Sequence, residues 1–281
     1  MLNRKNTHRD GRKKHYLCKI DIADLCDTEK ITPNNTHSAM PYKNIGIIIT
    51  TFIALLLRSG MVAAQDSTEV VIPDFEHIKR EVNNPHSAYY YPILTAKYNS
   101  NDTTMTLDEY RYYYLGYTFQ EDYNPYRRSE FSHQIDHLYK QGRKLSVAEY
   151  ENLIRFAQQT LNDDPFDLRQ INILIYALKG THRHKEAAIW QYRLDHIIDA
   201  ILSTGDGITP ESAWHVIYPT HEYIILNCLG MKGVEFIFVE PCYDYIEIEE
   251  NNRRIEGFYF NVERILDVYD TKYCHEEGDE T

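Results

Sequence analysis

The hydrophobic period of this chain changes at Gly205-Asp206-Gly207, and that change limits the possible folds more than any other feature. Upstream, apolar residues recur at three- and four-residue spacing, as they do in helices with one buried face. Downstream, short β-branched and aromatic runs are separated by Gly230, Gly233, Pro241 and Asn251-Asn252, as strands are. Helices first and strands later predict an α+β architecture.

Local signals place the helices. Thr106 to Glu109 and Ser146 to Glu149 both read as capping boxes, with the hydroxyl at the N-cap and Glu at N3. Asp164-Pro165 reads as an N-cap and N1 pair. The predicted buried stripes are Leu107, Tyr110, Tyr114 and Tyr117, then Val147, Tyr150, Ile154, Ala157 and Leu161, then Ala187, Trp190, Leu194, Ile197 and Ile201. The short connections between the later helices predict a stack of antiparallel helical hairpins. Residues 165–198 resemble one tetratricopeptide-like unit, on Leu178-Lys179-Gly180 at the turn and Glu186-Ala187-Ala188-Ile189 after it. With no second copy, this reads as a stack and not as a repeat array. Strands are expected over 213–218, 223–229, 234–239 and 243–249, with 257–260 either a last strand or the entry to a short helix over 262–268, forming a small antiparallel β-sheet of four or five strands.

The N-terminal region is of a different kind. Residues 45–57 form the one long apolar run, preceded by Lys43 and followed by Val62-Ala63-Ala64. A basic flank, a short apolar segment and a small-residue site predict a cleaved signal peptide over 40–64, with Met40 as the start. A membrane anchor is disfavoured, because the run is well short of the ~20 residues that span a bilayer. The expected organisation is a disordered leader or mis-assigned start over 1–39, the signal, a helical part over 65–205, a sheet part over 206–274 and an acidic tail over 275–281. This places the mature chain outside the cytoplasm, periplasmic or secreted, with no stable membrane insertion after cleavage.

Charge excludes some partners. The chain carries −12, and residues 1–64 hold ten Lys/Arg against five Asp/Glu, so the remainder carries −17. So acidic a body argues against nucleic acid, which is bound by basic surfaces. Cys228, Cys242 and Cys274 lack the paired spacing of a zinc site and leave their pairing open. No cofactor-binding fingerprint is present: there is no GxGxxG, Walker A or GxSxG motif.

Two constellations remain as candidate chemistry. Asp206, His215, His221 and Glu222 crowd the helix-to-sheet junction, and two histidines with carboxylates can supply acid–base pairs. Against this, the same residues suit a cap, a turn and a wet strand face. Tyrosine is abundant, at 24 against 10 Phe and 2 Trp. Tyr112, Tyr113, Tyr123 and Tyr126 fit a helical core stripe least well and are candidates for a carbohydrate platform. His133 and His137 share a helix face at i, i+4, but Gln134 stands where the zinc-protease motif needs Glu, so no metal is expected.

Several segments together resemble a known family. They are Pro85-His86-Ser87-Ala88-Tyr89-Tyr90-Tyr91-Pro92, Asn101 to Leu107 with Tyr110 to Tyr117, Ser203 to Gly207 leading into Ala213 to Ile217, and Tyr245 to Glu249. The set is similar to secreted Bacteroidetes proteins of the domain-of-unknown-function family 4919, over about residues 70–270. The resemblance implies export and no mechanism. The sequence therefore favours an exported, non-catalytic binding or interaction domain whose partner is a protein or glycan. The alternatives are a hydrolase-like enzyme at the junction and a Tyr-lined carbohydrate binder.

Overall fold

A computed structural model describes residues 70–139 and 145–273. The expected leader, signal segment and acidic tail, and Cys274, lie outside the described residues. In chain order the helices are α1 (Phe75–Asn83), α2 (Tyr91–Asn99), α3 (Leu107–Gly116), α4 (Ser132–Tyr139), α5 (Val147–Asp163), α6 (Leu168–Gly180) and α7 (His184–Leu202). Then follow strand β1 (Trp214–His215), helix α8 (Pro219–Cys228), strands β2 (Gly233–Val239), β3 (Tyr243–Ile248) and β4 (Gly257–Asn261), and helix α9 (Glu263–Tyr273). The chain is α+β. No helix among the described residues is long and apolar enough to cross a membrane.

Both capping boxes form. Thr106 accepts from the Glu109 N–H while Glu109 reaches back to the Thr106 N–H, and Ser146 and Glu149 do the same for α5. The third predicted cap moves by three residues. Asp167, not Asp164, caps α6 and accepts from the Gln170 N–H at 3.0 Å. Pro165 and Phe166 form a turn closed by Asp167 N–H on the Asp164 carbonyl at 3.3 Å, and this frees the Asp164 side chain for the interior. Val147, expected in the buried stripe of α5, is instead 69% exposed at the first position of the helix.

Helix α3 is the centre of the helical layer and packs against α1, α2 and α7, while α5, α6 and α7 pack in sequence. Tyr113, Tyr114, Tyr117 and Phe166 are among the largest side chains sealed from solvent. Much of the tyrosine excess is thus structural: the rings fill the core, and the hydroxyls of Tyr114, Tyr117, Tyr123 and Tyr218 hydrogen-bond within it.

The sheet has strand order β1-β4-β3-β2. β2, β3 and β4 pair antiparallel, but β1 pairs parallel with β4, with Trp214 opposite Phe260 and His215 opposite Asn261. The sheet is therefore mixed, which corrects the all-antiparallel expectation. The 213–218 strand shortens to two residues. The 223–229 segment is not a strand but the body of α8, because Pro219 at N1 starts a helix from extended Tyr218. A short apolar run such as Ile224-Ile225-Leu226 fits a buried helix as well as a strand. Cys228 consequently ends a helix, and Cys228 and Cys242 are free thiols.

The junction between the two layers is tightly tied. Asp206 and Gly207 N–H both donate to the Ser212 carbonyl, at 3.0 and 2.8 Å. The Trp214 indole donates to the Gly205 carbonyl at 3.0 Å, and the Tyr259 N–H to the Gly207 carbonyl at 2.7 Å. Gly207 has φ +73°, a conformation that favours glycine.

Candidate functional site

The four junction candidates are held by different partners. Asp206 is exposed, and its Oδ1 accepts from the Ser212 hydroxyl at 2.5 Å and the Ile208 N–H at 2.9 Å, as a turn-closing residue does. His215 is buried on β1 with its ring against Phe75, and burial lowers its pKa to about 4. His221 is fully buried on α8. Its Nε2 donates to the Phe166 carbonyl at 2.8 Å, and its Nδ1 accepts from the Tyr114 hydroxyl at 2.7 Å. Tyr114 Oη in turn accepts from the Ile217 N–H at 3.1 Å. Burial lowers the His221 pKa to about 3, so the ring stays neutral.

Glu222, the next residue, faces the sheet. It is 1% exposed and hydrogen-bonds Asp244 of β3, itself 0% exposed. Burial first, and then the Asp244 charge and hydrogen bond, raise the Glu222 pKa well above the carboxylate range. Two carboxyls sharing a dry contact hold a proton between them. These groups bind together the helix layer and the sheet.

The tyrosine candidates divide likewise. Tyr113 is sealed among the rings of Tyr91, Tyr98 and Phe166. Tyr123 is buried and donates to the Ile217 carbonyl at 2.7 Å. Tyr112 is half-buried and stacks on Tyr89, with ring centres 3.9 Å apart. Tyr126 is half-buried, and its hydroxyl donates to the Ile265 carbonyl at 3.3 Å. His133 and His137 are both exposed on α4, and among the described residues no three His, Cys, Asp or Glu are grouped to hold a metal ion.

Two open concavities lie elsewhere, against the loop joining α5 to α6. One, of about 220 Å³, is lined by Arg127, Arg128, Ser129, Thr160, Asp164 and Asp167 among others. Arg127 reaches the carbonyls of Asp163 and Asp122, and the Ser129 and Thr160 hydroxyls meet at 2.6 Å. Asp164 accepts from the Tyr218 hydroxyl at 2.9 Å. Burial first, then the neighbouring Asp167 charge, raises its pKa from 3.8 to about 7, against the pull of Tyr218, the Phe166 N–H and Arg127. The other concavity, of about 330 Å³, is lined by Tyr98, Asn99, Gln158, Leu161, Asn162, Pro165, Trp190 and Arg193. From the sequence, Asp164 reads as a cap and Trp190 as core. The available signals were the paired acids around Pro165-Phe166 and the i, i+3 spacing of Trp190 and Arg193 on one helix face.

The raised Asp164 pKa has a definite sign for stability. The folded state holds the proton more tightly than the unfolded chain does. Stability from this group is therefore complete below about pH 4 and declines as pH rises through about 7. The urea midpoint should fall between about pH 5 and pH 8, and Asp164→Asn should flatten that slope, each pKa unit being worth about 1.4 kcal/mol. Equal slopes for the two proteins would contradict the assignment.

Residues 76–271 match the family model described as a domain of unknown function, DUF4919. No curated protein and no solved structure matches the chain.

Proposed function

The chain belongs to the DUF4919 family, and from that premise we propose that it is an exported, non-catalytic binding domain. Its ligand-facing surface is the pair of concavities against the α5–α6 loop. One observation carries this reading. His221 and Glu222 are hydrogen-bonded to protein partners inside the molecule and sealed from solvent, whereas two concavities open to a ligand lie against that loop. A catalytic acid or base must reach the proton that it transfers, and neither His221 nor Glu222 does so from its sealed position.

Export is supported by the basic flank, the apolar run at 45–57 and Val62-Ala63-Ala64. The successive packing of α5, α6 and α7 supports a tetratricopeptide-like stack that presents the loop between its first two helices. The partner is a glycan or a protein segment small enough to enter a concavity of a few hundred Å³.

The reading is tested by turnover. The full chain should hydrolyse no member of a panel of nitrophenyl glycosides, nitrophenyl esters and fluorogenic peptides. Glu222→Gln is a suitable comparison, because glutamine mimics a carboxyl that already holds its proton. A rate that Glu222→Gln abolishes, with the fold intact by circular dichroism, would overturn the non-catalytic assignment.

A further inference from the structure

The larger concavity contains one charge and no counter-charge. Arg193 of α7 is 8% exposed, its guanidinium lying 4.6 Å from the Trp190 ring centre and 4.7 Å from that of Tyr98. Its Nη2 donates to the Tyr98 and Asn99 carbonyls at 2.9 and 3.2 Å. Its Nε has no hydrogen-bond partner. Among the described residues no carboxylate pairs with it, although the chain carries 42 Asp and Glu. The lining holds no acid at all. A buried cation without an anion is costly, and its cost falls when a bound group supplies the charge.

We infer that the Arg193 concavity is a binding site for a small molecule bearing a carboxylate, which the open edge of the guanidinium engages. The inference rests on the binding reading above and names the ligand class of one of its two concavities. The charge-assisted hydrogen bond to Arg is the strongest contact available there. Trp190 and Pro165 offer faces for a ring, and Gln158 and Asn162, exposed at the rim, offer amides that both donate and accept. That surround suits a hydroxylated acid of the sugar-acid type more than a bare aromatic acid. Its volume is at the small end for ligand pockets, so the site takes one ring.

The test is calorimetric titration of the full chain with three probes: glucuronate, its neutral counterpart glucose, and hippurate, a carboxylate without hydroxyls. Saturable binding of glucuronate, about tenfold tighter than glucose, is the expected result. Hippurate binding as tightly as glucuronate would keep the carboxylate and remove the sugar-acid preference. Arg193→Lys should abolish the advantage over glucose, because an ammonium lacks the planar fork. Arg193 also holds α2 backbone, so Asn162→Asp serves as a second variant. It is exposed, and should weaken both acids about tenfold by placing a like charge at the rim, with the fold checked by circular dichroism. No saturation by either acid up to about 10 mM, or binding indifferent to Asn162→Asp, would overturn the inference. In that case glucose saturation, or an acid bound elsewhere, would leave the binding reading standing. Hydrolytic turnover would instead end the binding reading while leaving the carboxylate titration readable.

Discussion

Gly205→Ala is expected to cost about 4 kcal/mol or more, at the extreme of single-substitution effects. A Cβ there would lie 2.0 Å from the Ser212 carbonyl oxygen, 2.7 Å from its carbon and 2.8 Å from the Ala213 carbonyl oxygen. All three are backbone atoms, so no side chain can swing away. The Ser212 carbonyl is also the acceptor for the Asp206 and Gly207 N–H groups, and the Gly205 carbonyl holds the Trp214 indole. Moving the 205–213 loop apart to admit a methyl group therefore breaks the ties that set β1 against β4. For a domain of this size the melting temperature should drop by about 8–16 °C. Gly230→Ala is the control: φ is +69° there, but nothing lies within 4 Å, so only the left-handed penalty of about 1–2 kcal/mol applies. If Gly205→Ala melts no lower than Gly230→Ala, the steric account of the junction is wrong.

Tyr114→Phe is the second large effect. One hydroxyl serves two buried groups, donating to His221 Nδ1 and accepting from the Ile217 N–H. Its removal leaves a donor and an acceptor without partners in a site where Tyr114 and His221 are both 0% exposed. Stranding a buried polar group costs about 1–3 kcal/mol, so the pair should cost about 2–5 kcal/mol. The loss should couple to His221. A Tyr114→Phe/His221→Leu double variant should be less unstable than the sum of the singles, because the second change removes the stranded acceptor. Tyr112→Phe, on a half-buried ring stacked on Tyr89, should stay within about 0.5 kcal/mol of the parent. Additive losses at Tyr114 and His221 would contradict the hydrogen bond that joins α3 to α8.

What could be read from the sequence was local. The capping boxes at Thr106 and Ser146 and the long apolar stripe of α7 depend on residues three or four apart, so spacing alone specified them. The parallel β1–β4 pair joins Trp214 to Phe260 across the whole intervening β2–β3 hairpin, and no local pattern announces such a contact. Helix α8 reads as a strand in the sequence because an Ile-Ile-Leu run carries no period, and its identity depends on which faces the sheet and α6 cover. The site was harder still. Asp164 looked like a cap, and only the tertiary approach of Tyr218 turns its carboxyl inward. Arg193 carries no local signal in the sequence beyond its spacing from Trp190, and its significance arises from the acids that are not near it.

The shared proton at Glu222 and Asp244 alters how the molecule's charge is counted. A formal total treats both carboxyls as ionised, yet the folded contact holds at least one of them neutral, and Asp164 holds its proton for part of the time near neutrality. The native protein is thus less anionic than its composition implies, and its electrophoretic mobility reflects the fold as well as the residue count. For an acidic molecule approaching the guanidinium of Arg193, the opposing long-range field is correspondingly weaker than the sequence alone suggests.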